Sequence, residues 1–476
     1  MWCMSIVDEM EAAGEVLSPV VRAALLQLEA VAAKVPLLEA RIRELETRLG
    51  LNSTNSSLPP SSDPPSVSRP VKKPTGKKRG GQKGHRGHHR SLVAAERVDK
   101  RVVHSPEACG HCGHSLADAV DAKPARVHQV IELPPVHAEV TEHQMRCVRC
   151  PGCRKLTRAV LPREVGGKHF GPRLAALGTQ LIGRYRLSRR EAVDLLGRLL
   201  DVPAPSLGSI EALTQEVSEA LQPVYAEVQA AVRSSDAACV DETPWKLQGK
   251  KQWLWVATTA AATAFHLGAS RGSEELKRFM GERFGGVLSS DRWCAYQIYE
   301  RRQLCWAHLI RNFRKLALRG GKAVAFAERG VKACLEVFEL WWALGDQVPD
   351  RAELRRRIAS VRARLRRQLV RGASDADKRV SGFCRNVLKH WNSLWTFVTT
   401  PVEPTNNAAE RAVRAAVLWR KGCFGSQSKD GMRFVERILT VNATCRQQRI
   451  HPLDFVALAI QALRSGTAAP RLLQAH

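Results

Sequence analysis

The first pattern along the chain is a spacing of apolar residues by three and four positions near the N-terminus. This spacing predicts a helix with a heptad seam within residues 1–50. The seam consists of Val21, Ala24, Leu28, Val31, Val35, Leu38, Ile42, Leu45 and Leu49. Pro36 interrupts the pattern, and we expect it to kink or split the helix. The seam either pairs with another chain as a coiled coil or packs against its own protein, and the sequence leaves both interpretations open.

The composition changes abruptly after this helix. Residues 52–63 are polar and broken by prolines, and residues 72–90 form a basic, glycine-rich run. We therefore expect residues 51–104 to be a disordered basic linker. Its basic run either lies along DNA phosphates, adding affinity without base preference, or serves as a solubilising tail. Its candidate DNA-binding residues are Lys72, Lys73, Lys77, Lys78, Arg79 and Lys83.

Two close cysteine pairs lie within residues 105–165. Cys109 and Cys112 form the first pair, and Cys150 and Cys153 form the second. Two such pairs supply the four thiolates of a closed, structural Zn²⁺ site. Cys147 lies three residues before Cys150, so a Cys147/Cys150 pair is a competing assignment. The Pro-Gly centre of Cys150/Cys153 favours that pair, because it allows the tight turn around a metal.

Residues 166–233 carry leucines and valines at helical spacing, with Pro203 and Pro205 breaking the pattern. Short helices joined by a turn form either a helix-turn-helix that enters a DNA groove or a plain helical packing module. The pattern slightly favours the packing module.

From residue 234 the pattern changes to short apolar runs that are typical of strands. The predicted strands are residues 237–240, 252–256, 264–267 and 286–289, with a helix over about 273–284 between the last two. Strands that are first adjacent in sequence and then joined through a helix predict a mixed α/β sheet. Beyond His308 the pattern is helical to the end of the sequence.

One of these later helices is strongly basic. Its apolar stripe consists of Leu354, Ile358, Val361, Leu365 and Leu369, and arginines fill most of the remaining positions. Those arginines, which include Arg355, Arg356, Arg357, Arg366 and Arg367, either bind DNA or form a solvated helix face.

The overall charge indicates which partners the protein binds, but it says little about the fold. The 476 residues carry a formal net charge of +28, with a pI of about 10.1, which favours nucleic acid as the partner. The least polar long stretch, residues 253–268, is too short to cross a bilayer, so we expect no membrane partner. Residues 1–11 lack the pattern of a secretory signal, and thirteen cysteines, several in close pairs, fit a reducing cytoplasm.

Phosphoryl transfer on DNA is one reaction open to a basic chain, and it requires carboxylates that converge on two Mg²⁺ ions about 3.5–4 Å apart. Asp241 and Asp291 each directly follow a strand-like run. Glu410 follows Asn406 and Asn407, either of which can cap a helix.

Spacing alone does not select these three acids. Asp236 and Glu242 are rivals to Asp241, and the chain contains 46 acidic residues. On the helix of the third acid, Arg411, Arg414 and Lys421 are further candidates for contacts with DNA phosphates.

Several motifs together resemble the transposases of the insertion sequence 66 family, over nearly the whole chain. They are RLGLNSTNSSLPPSSD (48–63), GGQKGH (80–85), the two cysteine pairs, DET (241–243), SD (290–291), CWAH (305–308), NNAAER (406–411) and RKGCFGS (420–426). The resemblance implies a multidomain α+β protein with an RNase H-like core that carries a DDE triad. The triad falls on Asp241, Asp291 and Glu410, and the second zinc pair on Cys150/Cys153.

The resemblance also implies an organisation and a function. The catalytic core is expected over residues 234–315 and 401–476, interrupted by a helical insertion over 316–400. The expected activity is Mg²⁺-dependent DNA strand cleavage and strand transfer at the ends of a mobile element. Expected partners are element ends, target DNA, a second copy of the chain and accessory transposition proteins, in a bacterial cytoplasm at the nucleoid. The alternatives are a catalytically inactive zinc-containing DNA-binding protein and a nuclease that does not join strands.

One departure from the family pattern lies beside the second acid. The family often has a small glycine and a tyrosine after it, whereas this chain has Arg292 and Trp293. Arg292 either contacts DNA or marks an impaired copy. We expect His308 and Arg311 near the site, although His308 is equally consistent with a packed core histidine.

Overall fold

The computed structural model of the protein describes residues 6–52, 54–56, 63, 91–120, 122–123, 126–166, 168–200, 205–343 and 351–473. Contacts divide the chain into two compact units. The larger unit comprises Met1–Val67, Thr141–Arg198 and Pro203–His476, and the smaller comprises Ser68–Val140 and Leu199–Val202. The predicted basic run of residues 72–90 lies outside the described residues.

The N-terminal part is helical, as the apolar spacing predicts, with α1 over Ile6–Ala12 and α2 over Pro19–Leu49. The Ser18 side chain caps α2 by accepting a hydrogen bond from the Val21 N–H, at 3.4 Å. The helix continues through Pro36, so the expected split does not occur. Proline removes a single backbone hydrogen bond, and the bonds on either side hold the helix together.

The apolar seam of α2 is largely exposed to solvent. Leu28 is 64% exposed, Leu38 61% and Ile42 55%, which is unusual for residues at regular heptad positions. The seam is therefore not covered by the part of the larger unit that the structure describes.

Two short strands surround the second cysteine pair. They are β1, Cys147–Arg149, and β2, Leu156–Arg158, which pair antiparallel with Val148 opposite Thr157. In the smaller unit, residues Ala95–Arg97 form a single turn of 3₁₀ helix. All twelve cysteines of the described residues are free thiols, which agrees with the expectation of a chain without a disulfide framework.

The region of helical spacing folds as four helices. These are α3 (Pro172–Gly183), α4 (Arg189–Leu200), α5 (Leu207–Ala220) and α6 (Gln222–Arg233). Most of α3 is buried, and it packs against α5 and the C-terminal helix Pro452–Ser465. This burial agrees with the packing module, while the turn around Pro203 lies outside the described residues.

A five-stranded mixed sheet forms the centre of the larger unit. Its strands are β3 (Ala237–Leu247), β4 (Lys250–Thr258), β5 (Thr263–Gly268), β6 (Val287–Ser290) and β7 (Arg302–Leu304), in the order β5-β4-β3-β6-β7. The pairs β3–β4 and β4–β5 are antiparallel, whereas β3–β6 and β6–β7 are parallel. The prediction of a mixed α/β sheet is thus confirmed.

Sequence spacing located four of these five strands. It missed β7, a three-residue strand that contains Arg302 and Gln303 and has no apolar run to mark it. Helix α7, Ser273–Met280, lies between β5 and β6 and ends four residues earlier than predicted. The cause is Gly281, whose φ of +96° is not helical.

Helices follow β7 to the end of the described chain, as predicted. They are α8 (Trp306–Ala317), α9 (Lys322–Trp342), α10 (Arg351–Gly372), α11 (Lys378–Lys389), α12 (Asn407–Cys423), α13 (Lys429–Gln447) and α14 (Pro452–Ser465), with 3₁₀ turns at Asn392–Leu394 and Thr396–Val398. A further 3₁₀ turn, Cys294–Ile298, lies between β6 and β7. Among the described residues, no helix combines the length and apolar character that crossing a membrane requires.

Helices α8 to α11 share one hydrophobic core with the parallel edge of the sheet. Val287 of β6 and Leu304 of β7 belong to the same buried cluster as Trp306 of α8. All five apolar residues predicted for α10 are buried in it, and its arginines lie on the outer face. This core joins the strands to the helices and so positions α8 over the sheet.

Candidate active site

The register of the sheet places two of the predicted acids next to each other. Cys239 of β3 and Ser289 of β6 are partners in neighbouring parallel strands. Asp241 and Asp291 each lie two residues further along, and neighbouring strands run about 4.8 Å apart. The side chains of residues two apart also share a face of the sheet. The two aspartates therefore occupy equivalent positions on adjacent strands.

The strand context of Asp241 differs from the prediction. We expected each aspartate to stand where a strand ends, and Asp291 does directly follow β6. Asp241 instead lies inside β3, which continues to Leu247 and pairs with β4 through a tight turn at Gln248 and Gly249. The apolar run ends at Val240, but antiparallel pairing with β4 extends the strand beyond it.

Glu410 reaches the aspartates from the first turn of α12. Asn406 precedes this helix but makes no side-chain capping bond, contrary to expectation. Its Nδ2 instead donates to the carbonyl oxygen of Val240, at 3.4 Å. Asn406 thus ties the start of α12 to the residue before Asp241, which brings Glu410 over the strand.

The three acids lie close enough for their charges to interact. Burial raises the pKa of Asp241 well above its usual range, and the negative charges of Glu242, Glu410 and Asp291 raise it further. Burial also raises the pKa of Asp291, against the opposing effects of the Trp293 N–H and nearby arginines. Such a concentration of carboxylate oxygens matches the ligands that Mg²⁺ prefers.

Arg311 of α8 holds the third acid. Its Nη2 donates to Glu410 Oε1 at 2.6 Å, and both side chains are partly buried. Burial raises the pKa of Asp291, and the Arg311 charge opposes part of that rise. The positive charge of the Arg311 guanidinium therefore offsets part of the negative charge of these carboxylates.

His308 lies beside the same carboxylate, one helical turn before Arg311. Burial, together with the charges of Arg311 and Arg292, lowers the pKa of His308 to about 3, so the ring is neutral at physiological pH. Its Nδ1 is buried and lies 3.5 Å from Glu410 Oε1, too far for a strong hydrogen bond. Both predicted neighbours of the site, His308 and Arg311, are thus found there.

Cys305, His308 and Glu410 also form a possible metal-binding group. One ligand atom of each lies within 4.8 Å of the others. A thiolate, an imidazole and a carboxylate suit softer divalent ions better than Mg²⁺. The oxygen-rich side of the site therefore lies toward the aspartates, and the nitrogen and sulfur donors lie on the side of α8.

Glu242, the rival to Asp241, has other partners. As the next residue on β3 it points to the opposite face of the sheet. There it forms an ion pair with Arg271 and accepts a hydrogen bond from the Tyr296 hydroxyl. Neither Arg271 nor Tyr296 was predicted, because no local motif marks partners so far away in the sequence. Asp236, the other rival, is exposed just before β3 begins.

Arg292, which follows the second acid, is partly buried. Its Nη2 donates to Asn312 Oδ1 at 2.6 Å, and its guanidinium lies over the ring of Phe383 at 5.1 Å from the centroid. Burial lowers the pKa of Arg292 to about 10. The side chain thus connects the end of β6 to α8 and α11.

The two cysteine pairs form the same local turn. The Cys109 N–H donates to the His114 carbonyl at 2.8 Å, and the Gly113 N–H donates back to the Cys109 carbonyl at 2.9 Å. Cys150 makes the equivalent bonds with Lys155 and Arg154, both at 2.8 Å.

Further details of the two turns also agree. Gly113 and Arg154, at equivalent positions, both have positive φ. Backbone N–H groups inside the turns lower the pKa of the first thiol of each pair, Cys109 and Cys150. Cys147 lies outside this turn, in β1. The geometry therefore favours Cys150/Cys153 as a pair of metal ligands over Cys147/Cys150.

Among the predicted DNA-binding residues, three lie in the described part of the chain. Arg411, Arg414 and Lys421 are exposed on α12. Arg420, which was not predicted, donates instead to Thr243 Oγ1 at 3.0 Å and so joins α12 to β3. The six cations predicted between residues 72 and 83 lie outside the described residues.

A mixed α/β domain with a buried carboxylate site, in a strongly basic chain, has the make-up of enzymes that process nucleic acids. Residues 204–434, which contain all three acids, match the family described as Transposase IS66 family. Residues 6–91 match a second description, Family of unknown function (DUF6444).

Two curated proteins of Sinorhizobium fredii are similar to this chain. Uncharacterized protein y4qI is 24% identical over 279 residues, which cover 51% of this chain and 50% of y4qI. Uncharacterized protein y4hP is 24% identical over 414 residues, which cover 77% of this chain and 71% of y4hP. The chain thus spans about half the length of y4qI.

Proposed function

We propose that the protein is a DNA transposase that binds the ends of a mobile element and catalyses Mg²⁺-dependent strand cleavage and strand transfer. The observation that carries this proposal is the convergence of Asp241, Asp291 and Glu410 from β3, β6 and α12, within a domain of the IS66 family. Their charges raise the pKa of Asp241, which is the electrostatic condition that a bound divalent cation relieves.

In this proposal Asp241, Asp291 and Glu410 hold the divalent ions. When bound, such ions activate the attacking oxygen and stabilise charge on the leaving oxygen of the phosphodiester. Arg311, released from Glu410, is positioned to pair with the phosphate of the incoming strand. Arg411 and Arg414 lie on the exposed side of α12, where they support the flanking backbone.

We also propose that the five-stranded sheet is an RNase H-like core and that α9 to α11 are the insertion into it. Three strands pair antiparallel and two are added in parallel on one side, so that neighbouring strands present the two aspartates. The third acid, Glu410, lies on α12, which follows the inserted helices in the sequence. This arrangement supports the order of acids that the family motifs imply.

A structural zinc ion held by Cys109, Cys112, Cys150 and Cys153 is part of the proposal. The matched turns and the lowered pKa values of Cys109 and Cys150 support it, since thiolates are the zinc-binding form.

The proposal also includes oligomerisation through the exposed seam of α2. Joining two DNA ends requires two catalytic chains to be held together.

The decisive experiment uses the full-length chain with Mg²⁺ and duplexes that carry candidate element ends. Wild-type protein is expected to nick the ends and join them to target DNA. Asp241→Asn, Asp291→Asn and Glu410→Gln are expected to lose both products while DNA binding is retained. Asp236→Asn is the matched control, because this exposed acid lies five residues before Asp241.

Each contrary outcome selects an alternative. Nicked but never joined products would identify a nuclease without strand transfer. DNA binding with no cleavage, at any concentration of Mg²⁺ or Mn²⁺, would identify an inactive DNA-binding protein. Full cleavage by any one of the three variants would remove that residue from the mechanism.

A further inference from the structure

Four side chains form a continuous stack of alternating cations and aromatic rings. Lys251 Nζ lies 4.7 Å from the Trp253 ring centroid, and Arg271 Cζ lies 5.2 Å from the same centroid. Arg271 Cζ also lies 4.0 Å from the ring centroid of Trp293. We call Lys251, Trp253, Arg271 and Trp293 the cation–aromatic stack. Each contact has the geometry of a cation–π interaction.

The stack ends beside the carboxylate site. The Trp293 N–H donates to Asp291 Oδ1 at 2.8 Å, so the backbone of this tryptophan contacts one of the proposed metal ligands. Its indole Nε1 donates to the Arg271 carbonyl oxygen at 3.0 Å. Arg271 is in turn held by its ion pair with Glu242, the neighbour of Asp241. The indole of Trp293 is therefore fixed in orientation at the rim of the site.

Trp293 is also accessible. It is 37% exposed, whereas Trp245, Trp255 and Trp306 are fully buried. Exposed indole beside arginine and lysine is the combination on which single-stranded nucleic acids stack, because every base offers a π-face and every nucleotide a phosphate. Fixing the ring in advance lowers the entropy cost of such binding.

We propose that Trp293, backed by Arg271, is a stacking platform for an unpaired DNA base next to the phosphate that enters the carboxylate site. The proposal rests on the proposed function for its substrate class, DNA. It adds that the strand near the scissile phosphate is unpaired when bound, since a base inside a duplex cannot expose its face. Arg271, held by its ion pair with Glu242, supports the indole ring from the face opposite to the base.

The experiment measures binding, not cleavage, with the full-length chain. One probe is a DNA duplex with an unpaired 3′ tail of three thymidines, and the other has an abasic tail of the same length. Wild-type protein is expected to prefer the thymidine tail by about 5- to 150-fold, the range of base–aromatic stacking. Trp293→Ala should abolish this preference without changing affinity for the abasic probe, and Trp293→Phe should retain most of it.

Trp342→Ala is the matched control, because Trp342 is 69% exposed on α9 and does not belong to the stack. An unchanged preference in Trp293→Ala would overturn the proposal and leave the stack as a cover for the Glu242–Arg271 ion pair. Asp241→Asn, which tests catalysis, should keep the preference. Failure of the transposase function and failure of the stacking platform are therefore separate results.

Discussion

Asp241 and Asp291 are far apart in the sequence, yet each stands two residues beyond a partnered pair, Cys239 and Ser289, in adjacent parallel strands. Parallel pairing brings equivalent positions to the same level of a sheet. The two carboxylates are therefore neighbours by the register of the sheet and need no flexible loop to meet. A rigid scaffold of this kind preorganises ligands for a metal ion.

In the proposed mechanism, Arg311 competes with a metal ion for Glu410. Replacing it by glutamine removes a positive charge whose Nη2 lies 2.6 Å from Glu410 Oε1. We expect Arg311→Gln to bind Mn²⁺ roughly tenfold more tightly, equivalent to about 1.4 kcal/mol, because one cation no longer repels another. Titration calorimetry or electron paramagnetic resonance measures this affinity. Lys315→Gln on the exposed face of α8 is the control, and equal affinities in the two variants would contradict the prediction.

The two candidate assignments of the second cysteine pair, Cys150/Cys153 and Cys147/Cys150, predict different zinc contents for two single-cysteine variants. We expect purified wild-type protein to contain about one zinc ion per chain and Cys153→Ser to lose it, because a closed site needs four ligands. Cys147→Ser should keep its zinc, since Cys147 lies in β1 outside the turn. Elemental analysis measures both. Loss of zinc in Cys147→Ser with retention in Cys153→Ser would reverse the assignment.

The arginines of α10 fall into two groups that test its role in DNA binding. Arg356, Arg357 and Arg364 form ion pairs with Glu353 or Glu336. Arg355, Arg366 and Arg367 are exposed on the same helix, and no ion pair with an acidic residue is observed for them among the described residues.

Replacing Arg355, Arg366 and Arg367 together by glutamine should weaken DNA binding. The slope of log affinity against log salt concentration should fall by up to about 0.9 for each DNA phosphate that the variant no longer neutralises. The same change at the three ion-paired arginines is the control and should alter the slope less. Fluorescence anisotropy at several salt concentrations measures the slope. Identical slopes in both triple variants would indicate that the arginine face of α10 is exposed to solvent and does not bind DNA.

The exposed seam of α2 predicts self-association. Leu38→Asp combined with Leu45→Asp should raise the dissociation constant at least about a hundredfold, because each buried leucine contributes about 1.5–3 kcal/mol. Sedimentation velocity measures the oligomeric state. Ala33→Glu, exposed on α2 outside the heptad seam, should leave it unchanged. A wild-type protein that stays monomeric at micromolar concentration would refute pairing through this helix.

His266 links three elements and makes stability depend on pH. Burial lowers the pKa of His266, but hydrogen bonds and ion pairs with Glu275 and Glu436, at 2.9 and 3.2 Å, outweigh burial and raise it above the ordinary value of 6.5. A raised pKa in the folded state stabilises the protein fully below 6.5, and this contribution is lost as pH rises through the folded-state value.

His266→Gln should therefore destabilise the fold by about 1–3 kcal/mol at low pH and by less at high pH. Denaturant unfolding at several pH values measures the difference. His451→Gln is the control, because His451 pairs with Asp454 on the surface and its side chain is 64% exposed. A difference between wild type and His266→Gln that is constant across pH would rule out the linkage.

Sequence by itself determined the features that depend on local order. Apolar spacing located α2, four strands of the sheet and the buried stripe of α10, because helices and strands impose periods of 3.6 and 2 on any chain. Motifs also marked the two cysteine turns, because the residues of a tight turn are close in sequence. Pro36 and Asn406 were misjudged because their local preferences are overridden by the surrounding helix and by the contact with Val240.

Only the tertiary structure decided which side chains meet. Nothing local distinguishes Asp241 from Glu242, yet alternation along β3 and the arrival of α12 on one face direct the first toward Glu410 and the second toward Arg271. The sequence gives no sign that Arg292 lies over the ring of Phe383, 91 residues further along the chain. Contacts between residues distant in sequence arise from sheet register and helix packing. The periodicity of apolar residues within one segment therefore cannot predict them.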